Sequence, residues 1–265
     1  METKEKNETV LLQIKDSVAL VTLNRPETLN ALNVDMLKEF VLVLKDLSVR
    51  EDVKIVVLKG EGRAFSSGGD IKGMLAELTS KEQFSSVMDT ISELVMTLYT
   101  IPAVTISAIH GAAAGLGLSL ALATDYVLCE ENSKLAMNFI GIALIPDGGG
   151  HFLMERRVGE VKAKQIIWEG KVMSGVEAVS IGLVDQSIPK ENFEEKVQEV
   201  IEAYKRKPLQ AMIETKKILA ELSRPTLLKA LELEKQAQWK MRQTKDHKEG
   251  IQAFIEKRPP RFIGE

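Results

Sequence analysis

The segment Arg63–Lys72 (RAFSSGGDIK) carries paired glycines after an apolar, strand-like run, and His110–Ser119 (HGAAAGLGLS) has the same arrangement later in the chain. Both segments end in a helical pattern. A glycine-rich turn that opens a helix leaves backbone N–H groups unpaired and directed at one point. Two such turns can converge on one carbonyl oxygen and stabilise it as it becomes an oxyanion. Each segment alone is equally open to a structural interpretation, in which glycine only permits a tight turn and close packing.

Neither segment matches a nucleotide-binding motif. The phosphate-loop pattern G-x-x-x-x-G-K-[ST] is absent from the chain. The sequence after Gly115-Leu116-Gly117 is Leu-Ser-Leu, so the third glycine of a dinucleotide-binding turn is missing.

The composition is that of an ordinary soluble globular chain, with 265 residues, 45% of them apolar and 28% charged. A formal net charge of -3 gives no electrostatic support for nucleic-acid binding. The single cysteine, Cys129, cannot form an internal disulfide, which fits a reducing compartment and a cytoplasmic location.

We expect no membrane partner, because no apolar run approaches bilayer-spanning length. We also expect no bound metal, because the three histidines have no ligand-like spacing.

Strand and helix patterns alternate along the first 207 residues, which indicates an α/β fold. The order is often strand, strand, helix, so a stacked spiral is favoured over a doubly wound sheet. From about Pro208 the pattern is entirely helical, with two segments predicted at 211–222 and 226–242. We therefore predict a core domain over residues 1–207 and a helical domain over residues 208–265.

The helical domain is amphipathic, with Leu227, Leu228, Leu231 and Trp239 recurring along it. Tails of this kind often pack on a neighbouring subunit. We expect the helical tail from about Pro208 to pack across an interface between copies of the chain.

A set of short motifs runs in order along nearly the whole chain. They are Asn24-Arg25-Pro26 with Asn30-Ala31-Leu32, Ala64 to Lys72, Gly111 to Gly115 with Ala121 to Asp125, Ile140-Gly141, Ile145 to Gly150, Gly170, Ala178 to Val184, and Glu249-Gly250 through Phe254 to Arg258. With these motifs the chain resembles the crotonase family, also called the enoyl-CoA hydratase/isomerase family. Each motif is weak by itself, whereas the ordered set is highly specific.

The resemblance implies a spiral of ββα turns, holding the active site, capped by a helical C-terminal domain that forms trimers. It implies an acyl-CoA thioester as substrate, with coenzyme A entering as part of that substrate and no permanently bound cofactor. It also implies a homotrimer, or a homohexamer of paired trimers.

The resemblance also assigns site residues. The two backbone N–H groups that bind the thioester oxygen in the family map to Gly69 and Leu116. Other residues are expected to contact the substrate: Ala31, Ser66, Gly68, Asp70, Ile71 and Gly115 in the segments that line the channel, and Lys72 and Lys257 near the CoA phosphates. For both lysines a solvated surface role is nearly as favoured.

The catalytic carboxylates decide the reaction. Hydratases of the family use two glutamates, and the corresponding positions here are Ser119 and Phe139, which could contact a substrate but cannot act as carboxylate acid or base. The nearest remaining carboxylate in a family motif is Asp147, directly after Pro146. Because a 1,3 proton shift needs only one group that takes and returns a proton, the sequence favours isomerisation through Asp147.

Other interpretations stay open. Asp147 could instead be the N-cap of the apolar helix that follows it. An apolar pocket near Phe139 and Ile140 should raise the pKa of a catalytic Asp147 towards neutrality. The alternatives to an isomerase are an enoyl-CoA hydratase of fatty-acid or phenylacetate-type degradation, and a non-catalytic acyl-CoA-binding subunit that kept the fold.

Overall fold

The computed structural model describes residues 8–71, 73 and 80–265. The strands are β1 (Val10–Lys15), β2 (Val18–Leu23), β3 (Ile55–Gly60), β4 (Val104–Ile109), β5 (Ala112–Ala114), β6 (Tyr126–Glu130), β7 (Lys134–Ala136) and β8 (Gln186–Ile188). The helices are α1 (Val34–Ser48), α2 (Lys81–Thr100), α3 (Leu116–Leu122), α4 (Gly150–Val158), α5 (Glu160–Glu169), α6 (Gly175–Ser180), α7 (Phe193–Lys205), α8 (Leu209–Arg242) and α9 (Lys245–Glu256). Short 3-10 helices form at Pro26–Thr28, Asn138–Ile142 and Lys190–Asn192.

The main layer is a six-stranded sheet in the order β1-β2-β3-β4-β6-β8. The predicted hairpin is confirmed, since β1 and β2 pair antiparallel with Val10 opposite Leu23. Every other pair in this sheet is parallel, with Ile55 of β3 opposite Val104 of β4. All six residues of β4 are buried, as expected for a parallel strand covered on both faces.

A second, smaller layer consists of β5 and β7, which pair in parallel. Isolated bridges extend it, from Ser66 to Ala113 on one side and from Leu135 to Met173 on the other. The sequence patterns did not predict β5, because its three alanines have low strand propensity and follow a glycine. This layer matters for function because both glycine-rich turns leave it.

Helices α1 and α2 cover the sheet, and each begins at a cap that the sequence encodes. Asn33 accepts a hydrogen bond from the Met36 amide at 3.0 Å and starts α1. Ser80 and Gln83 form a reciprocal capping box that starts α2. Both helices present a stripe of apolar side chains to one core, in which Phe40 is fully buried.

The C-terminal region differs from the prediction in one respect. The sequence predicted two helices separated near Pro225, whereas α8 is one helix of 34 residues with Pro225 inside it. Proline removes one hydrogen bond from the helix interior. Packing offsets this loss, because Ser223, Leu227 and Leu231 on either side of the proline are buried.

Most of the apolar side chains that recur along the predicted tail pack within the chain itself. Leu227 and Leu231 lie in the main core of the same chain and are 0% and 3% exposed. Trp239 packs on Phe84 of α2 with ring centroids 5.4 Å apart. Leu228 is the exposed member of the predicted set. Helix α8 is therefore anchored in the core by its apolar face, and a separate helical domain over 208–265 stays a prediction.

No helix within the described ranges is long and apolar enough to cross a bilayer.

Replacing Leu227 by alanine tests this anchoring. The side chain is fully buried, so Leu227→Ala should lower the free energy of unfolding by about 2–5 kcal/mol, the range for large-to-small core substitutions. Leu42→Ala is the matched control, because Leu42 is 67% exposed on α1 and its loss should cost less than about 0.5 kcal/mol. Urea denaturation followed by circular dichroism gives both values. Equal losses for the two variants would contradict the assignment.

Candidate active site

The two glycine-rich turns lie side by side because the strands that lead into them are bonded. The Ser66 amide donates to the Ala112 carbonyl at 3.0 Å, and the Ala114 amide donates to the Ser66 carbonyl at 3.0 Å. The bridge is parallel, so both chains leave the layer at the same end. The segments that follow, Gly68–Gly69 and Gly115–Leu116, therefore emerge next to each other.

Gly68 shows how close this approach is. Its φ of 94° lies in the left-handed region, and a Cβ there would lie 2.7 Å from the Ala114 carbonyl oxygen and 3.6 Å from the Leu116 amide nitrogen. A side chain would both strain the backbone and separate the turns. Glycine is thus required where the two turns meet.

Two backbone amides at this point have no acceptor among the described residues. Leu116 is the first residue of α3, so its N–H has no intrahelical partner. Gly69 lies between residues whose amides are bonded, Gly68 to the Ser66 hydroxyl and Asp70 to the Leu32 carbonyl, whereas its own amide is not. Both residues line the same cavity. Two unpaired donors at a cavity wall have the character of an oxyanion hole.

The cavity has a volume of about 540 Å³ and is mostly apolar. It brings together most of the residues that the sequence assigned to substrate: Ala31, Gly68, Gly69, Asp70, Ile71, Gly115, Leu116, Phe139 and Asp147. Residues from α2, α8 and α9 complete its wall. A concave apolar site with a few convergent polar groups is typical of small-molecule binding.

Three of the described residues in that set do not belong to this wall. Ser66 is fully buried, and its hydroxyl donates to the Asn30 carbonyl at 2.8 Å. Lys257 is an exposed residue at the C-terminal end of α9. Ser119 is fully buried behind the cavity. Lys72 lies outside the described residues. Contact of these side chains with substrate stays a prediction.

Asp147 stands in the cavity wall on a turn that two glycines shape. Gly148 and Gly149 follow it with φ values of 62° and 74°, which glycine adopts without strain. Ser119 donates its hydroxyl to the Asp147 carbonyl at 2.9 Å, so α3 holds the backbone of this turn. Ser119 thus helps to fix the position of Asp147 in the cavity wall.

The Asp147 carboxyl group is in an unusual state. Its residue is only partly buried and borders the cavity, but Oδ1 is buried without a hydrogen-bond partner among the described residues. Burial, followed by the negative charge of Glu234, raises the pKa of Asp147 from 3.8 to about 8. A buried, unpaired carboxyl group with a pKa near neutrality is suited to giving and taking protons.

The N-cap interpretation of Asp147 is wrong. Helix α4 begins at Gly150, and the Asp147 side chain bonds no amide of its first turn. Glu234 of α8 takes this role instead, accepting from the amides of Gly149 at 2.8 Å and His151 at 3.1 Å. A carboxylate at a helix N-terminus forms charge-assisted hydrogen bonds and interacts favourably with the helix dipole.

The same loop is held at two further points by the C-terminal helices. Gln238 of α8 donates its amide to the Ile145 carbonyl. His247 of α9 has its Nδ1 2.8 Å from the Ile142 carbonyl, and because a carbonyl only accepts, this nitrogen carries the proton. Burial lowers the pKa of His247 from its ordinary value, which favours the neutral form of the ring.

Sequence patterns did not reveal this support. Glu234, Gln238 and His247 are 3%, 2% and 4% exposed, although they belong to polar, charged helical stretches. The one usable signal was their position on the apolar face of each helix at helical spacing from buried residues. Their partners lie 83 to 105 residues away in sequence, so the contacts themselves could not be predicted.

A family model described as enoyl-CoA hydratase/isomerase matches residues 13–265. The chain belongs to this family, the crotonase family. It is 50% identical over 246 residues to YhaR, named as an enoyl-CoA hydratase/isomerase, of Bacillus subtilis, covering 93% of this chain and 95% of that protein. It is 30% identical over 259 residues to the 1,2-epoxyphenylacetyl-CoA isomerase of Escherichia coli, covering 97% and 99%.

The crotonase fold is shown by solved structures. An enoyl-CoA hydratase from Mycobacterium avium subsp. paratuberculosis has a TM-score of 0.87 and 31% identity, with 96% of this chain and 98% of that chain covered. The protein is thus a lyase- or isomerase-type enzyme of a family that acts on CoA thioesters. Within the described ranges, no group of histidine, cysteine and acidic side chains could hold a metal ion.

Leu116→Pro tests the oxyanion donor. Proline removes the N–H but suits the first position of a helix, so turnover should fall by about two to three orders of magnitude, the scale for losing one such donor. Leu116→Ala is the control, because it loses the same buried side chain and keeps the donor. Steady-state kinetics give the turnover number of each variant, which is corrected for the fraction of folded protein and then compared. Equal activity of the two variants would show that this amide does not bind the reacting oxygen.

Glu234→Gln tests the support of Asp147. Removing the Glu234 charge should lower the pKa of Asp147, because that charge raises it, and the pH at which kcat/KM reaches half its limit should move down. The weaker cap should also cost about 1–3 kcal/mol of stability. A pH–rate profile that coincides with that of the wild type would disprove the electrostatic coupling.

Proposed function

We propose that this enzyme is an enoyl-CoA isomerase in which Asp147 moves one proton along the acyl chain. The observation that carries the proposal is the Asp147 carboxyl group, whose buried Oδ1 shares a cavity with the amides of Gly69 and Leu116; none of the three has a hydrogen-bond partner among the described residues. A proton-transfer group and an oxyanion site are the two elements that a thioester enolate requires.

The proposed reaction is a 1,3 proton shift. The ionised Asp147 carboxylate removes a proton from C2 of a 3-enoyl thioester, and the electron pair moves onto the thioester oxygen as a dienolate. The amides of Gly69 and Leu116 stabilise that oxygen more strongly than the ground-state carbonyl. The protonated Asp147 then returns the proton to C4, which gives the 2-enoyl thioester and restores the carboxylate.

Hydration is disfavoured because it needs a second acid or base. The described residues in the cavity wall include two carboxyl groups, Asp70 and Asp147. Asp70 is engaged by Arg25 at 3.1 Å and by the Gly73 amide at 3.0 Å, and Phe139 contributes only an aromatic ring. The Escherichia coli relative named as an isomerase is consistent with isomerase chemistry. Hydration remains the alternative, because other relatives are named as hydratases.

Asp147→Asn separates the three candidate functions. It keeps the size of the side chain, so binding of a CoA thioester should persist while isomerisation of a cis-3-enoyl-CoA falls at least about a hundredfold. Wild-type activity should be much higher on the 3-enoyl substrate than on hydration of trans-2-crotonyl-CoA. Binding without either activity would identify a non-catalytic subunit. Hydration that outruns isomerisation in the wild type would identify a hydratase.

Comparison of the wild type with Asp147→Asn should also show a pH-dependent difference in stability. Because the native state holds a proton on Asp147 up to about pH 8 and the unfolded state releases it near pH 4, the native state binds more protons between these values. The stability of the wild type should therefore fall relative to Asp147→Asn as the pH rises through this window. Thermal melting of both proteins at pH 5 and pH 8 measures the difference, and a pH-independent difference would argue against the raised pKa.

We further propose that the enzyme assembles as a homotrimer or a homohexamer. Exposed apolar side chains on the C-terminal helices support this, among them Leu222 at 75%, Leu233 at 50% and Phe254 at 51%. Such side chains are costly on the surface of a monomer when they form a contiguous patch. Light scattering at micromolar concentration should give a mass three or six times that of the chain, and a monomeric mass would contradict the proposal.

A further inference from the structure

Arg242 is a cation in the cavity wall at a distance from the proposed reaction centre. It is the last residue of α8 and is partly buried. Its guanidinium carbon lies 5.2 Å from the centre of the Phe84 ring. Other wall residues near Phe84 on α2 are Val87 and Met88, which are apolar. The charge of Arg242 is thus set into a largely apolar part of the cavity.

The guanidinium has no anionic partner among the described residues. Three other arginines that are shielded from solvent in part each have a carboxylate partner: Arg25 with Asp70, Arg157 with Asp185, and Arg258 with Glu249. Burial lowers the pKa of Arg242, which marks the loss of hydration that a partner would offset. His247, whose pKa is lowered by burial and by the charge of Arg242, cannot serve as an anionic partner, because imidazole is neutral or positively charged.

The distance between Arg242 and Asp147 can be estimated along helices α8 and α2. Glu234 bonds the turn beside Asp147, and Arg242 lies eight residues further along the same helix, about 12 Å at the rise of an α-helix. On α2, a Cβ at Gly148 would lie 3.6 Å from Val95, and Phe84 lies eleven residues earlier, about 16 Å away. The helices run antiparallel, because Asp89 of α2 pairs with Lys235 of α8 at 2.6 Å and the earlier residue Phe84 packs on the later residue Trp239.

The cavity therefore has two polar ends joined by an apolar wall. One end carries the unpaired Asp147 carboxyl group and the two free amides, and the other carries Arg242. Between them α2 presents Ile91, Met88 and Val87. An acyl chain bound with its thioester at the first end has its far end directed along this wall towards the guanidinium.

We propose that Arg242 binds a carboxylate at the far end of the acyl chain, so that the preferred substrates are CoA thioesters of dicarboxylic acids. The proposal rests on the proposed function, because it takes the thioester to bind between Gly69 and Leu116. A guanidinium holds a carboxylate through two parallel hydrogen bonds. In a cavity of low polarity this pairing is stronger than in water, and it discriminates against a terminal methyl group, which leaves the cation unpaired.

Binding of saturated thioesters tests the proposal without requiring turnover. Isothermal titration compares adipyl-CoA with hexanoyl-CoA and suberyl-CoA with octanoyl-CoA, pairs that match in carbon number and differ in the terminal group. The wild type should bind the carboxylate member of at least one pair about tenfold or more tightly, the scale for one hydrogen bond to a charged group. Arg242→Met should abolish this preference, and Arg242→Lys should retain part of it.

Lys240→Met is the matched control, because Lys240 is an exposed cation on the same helix and does not belong to the cavity wall. It should leave the preference unchanged. Circular dichroism establishes that the Arg242 variants are folded, and Arg242→Lys keeps the test decisive if the methionine variant is unstable.

Three results would overturn the proposal. Equal affinities within both wild-type pairs would show that Arg242 is a structural residue that stacks on Phe84 and interacts with the C-terminal dipole of α8. An equal loss of affinity for both members of each pair in Arg242→Met would show that the guanidinium binds a phosphate of coenzyme A. If no thioester binds to any variant or to the wild type, the proposed function fails together with this inference.

Discussion

The structure depends on one electrostatic constraint, which is the burial of the Asp147 carboxyl group beside a second carboxylate. Oδ1 has no hydrogen-bond partner among the described residues, and the charge of Glu234, which bonds the Gly149 amide of the same turn, raises the pKa of Asp147 further. Such a group costs folding free energy in its ionised form and is stable only when protonated or when a ligand supplies a partner. This unfavourable folding free energy arises at the cavity wall, where a group that transfers protons could act on a bound substrate. The ionisation of Asp147 therefore affects both the stability of the fold and the proposed proton transfer.

The remainder of the site can be understood as support for that carboxyl group. Ser119 holds the turn from α3, Glu234 and Gln238 hold it from α8, and His247 holds the start of the loop from α9. The Glu234 contacts satisfy amides at the start of α4 that have no intrahelical acceptor. The helical C-terminal region therefore does more than cover the sheet, because it fixes the position of the loop that carries Asp147. Precise placement of this kind is what proton transfer from carbon requires.

Local patterns in the sequence predicted the parts of this arrangement that depend on near neighbours. The hairpin, the amphipathic helices and the two glycine-rich turns follow from spacing and turn chemistry, and the resemblance to the crotonase family supplied the donors Gly69 and Leu116. The role of Glu234 could not be predicted, because nothing in a charged helical stretch tells which carboxylate is buried against a turn 83 residues away. The continuous helix through Pro225 could not be predicted either, because packing of its buried neighbours outweighs the low helix propensity of proline. Arg242 was missed for a related reason, since a basic residue in the last turn of a helix is usual on dipole grounds alone.

The most direct measurement is the pKa of Asp147 itself in the free enzyme. Carbon-13 NMR of aspartate carboxyl groups, with Asp147→Asn used to assign the signal, follows its ionisation from pH 4 to pH 10. A midpoint near pH 8 is expected if burial and the Glu234 charge govern this group. A midpoint near pH 4, the ordinary value for aspartate, would contradict the central claim, because the carboxyl group would then be solvated and unable to hold the proton that the proposed isomerisation transfers.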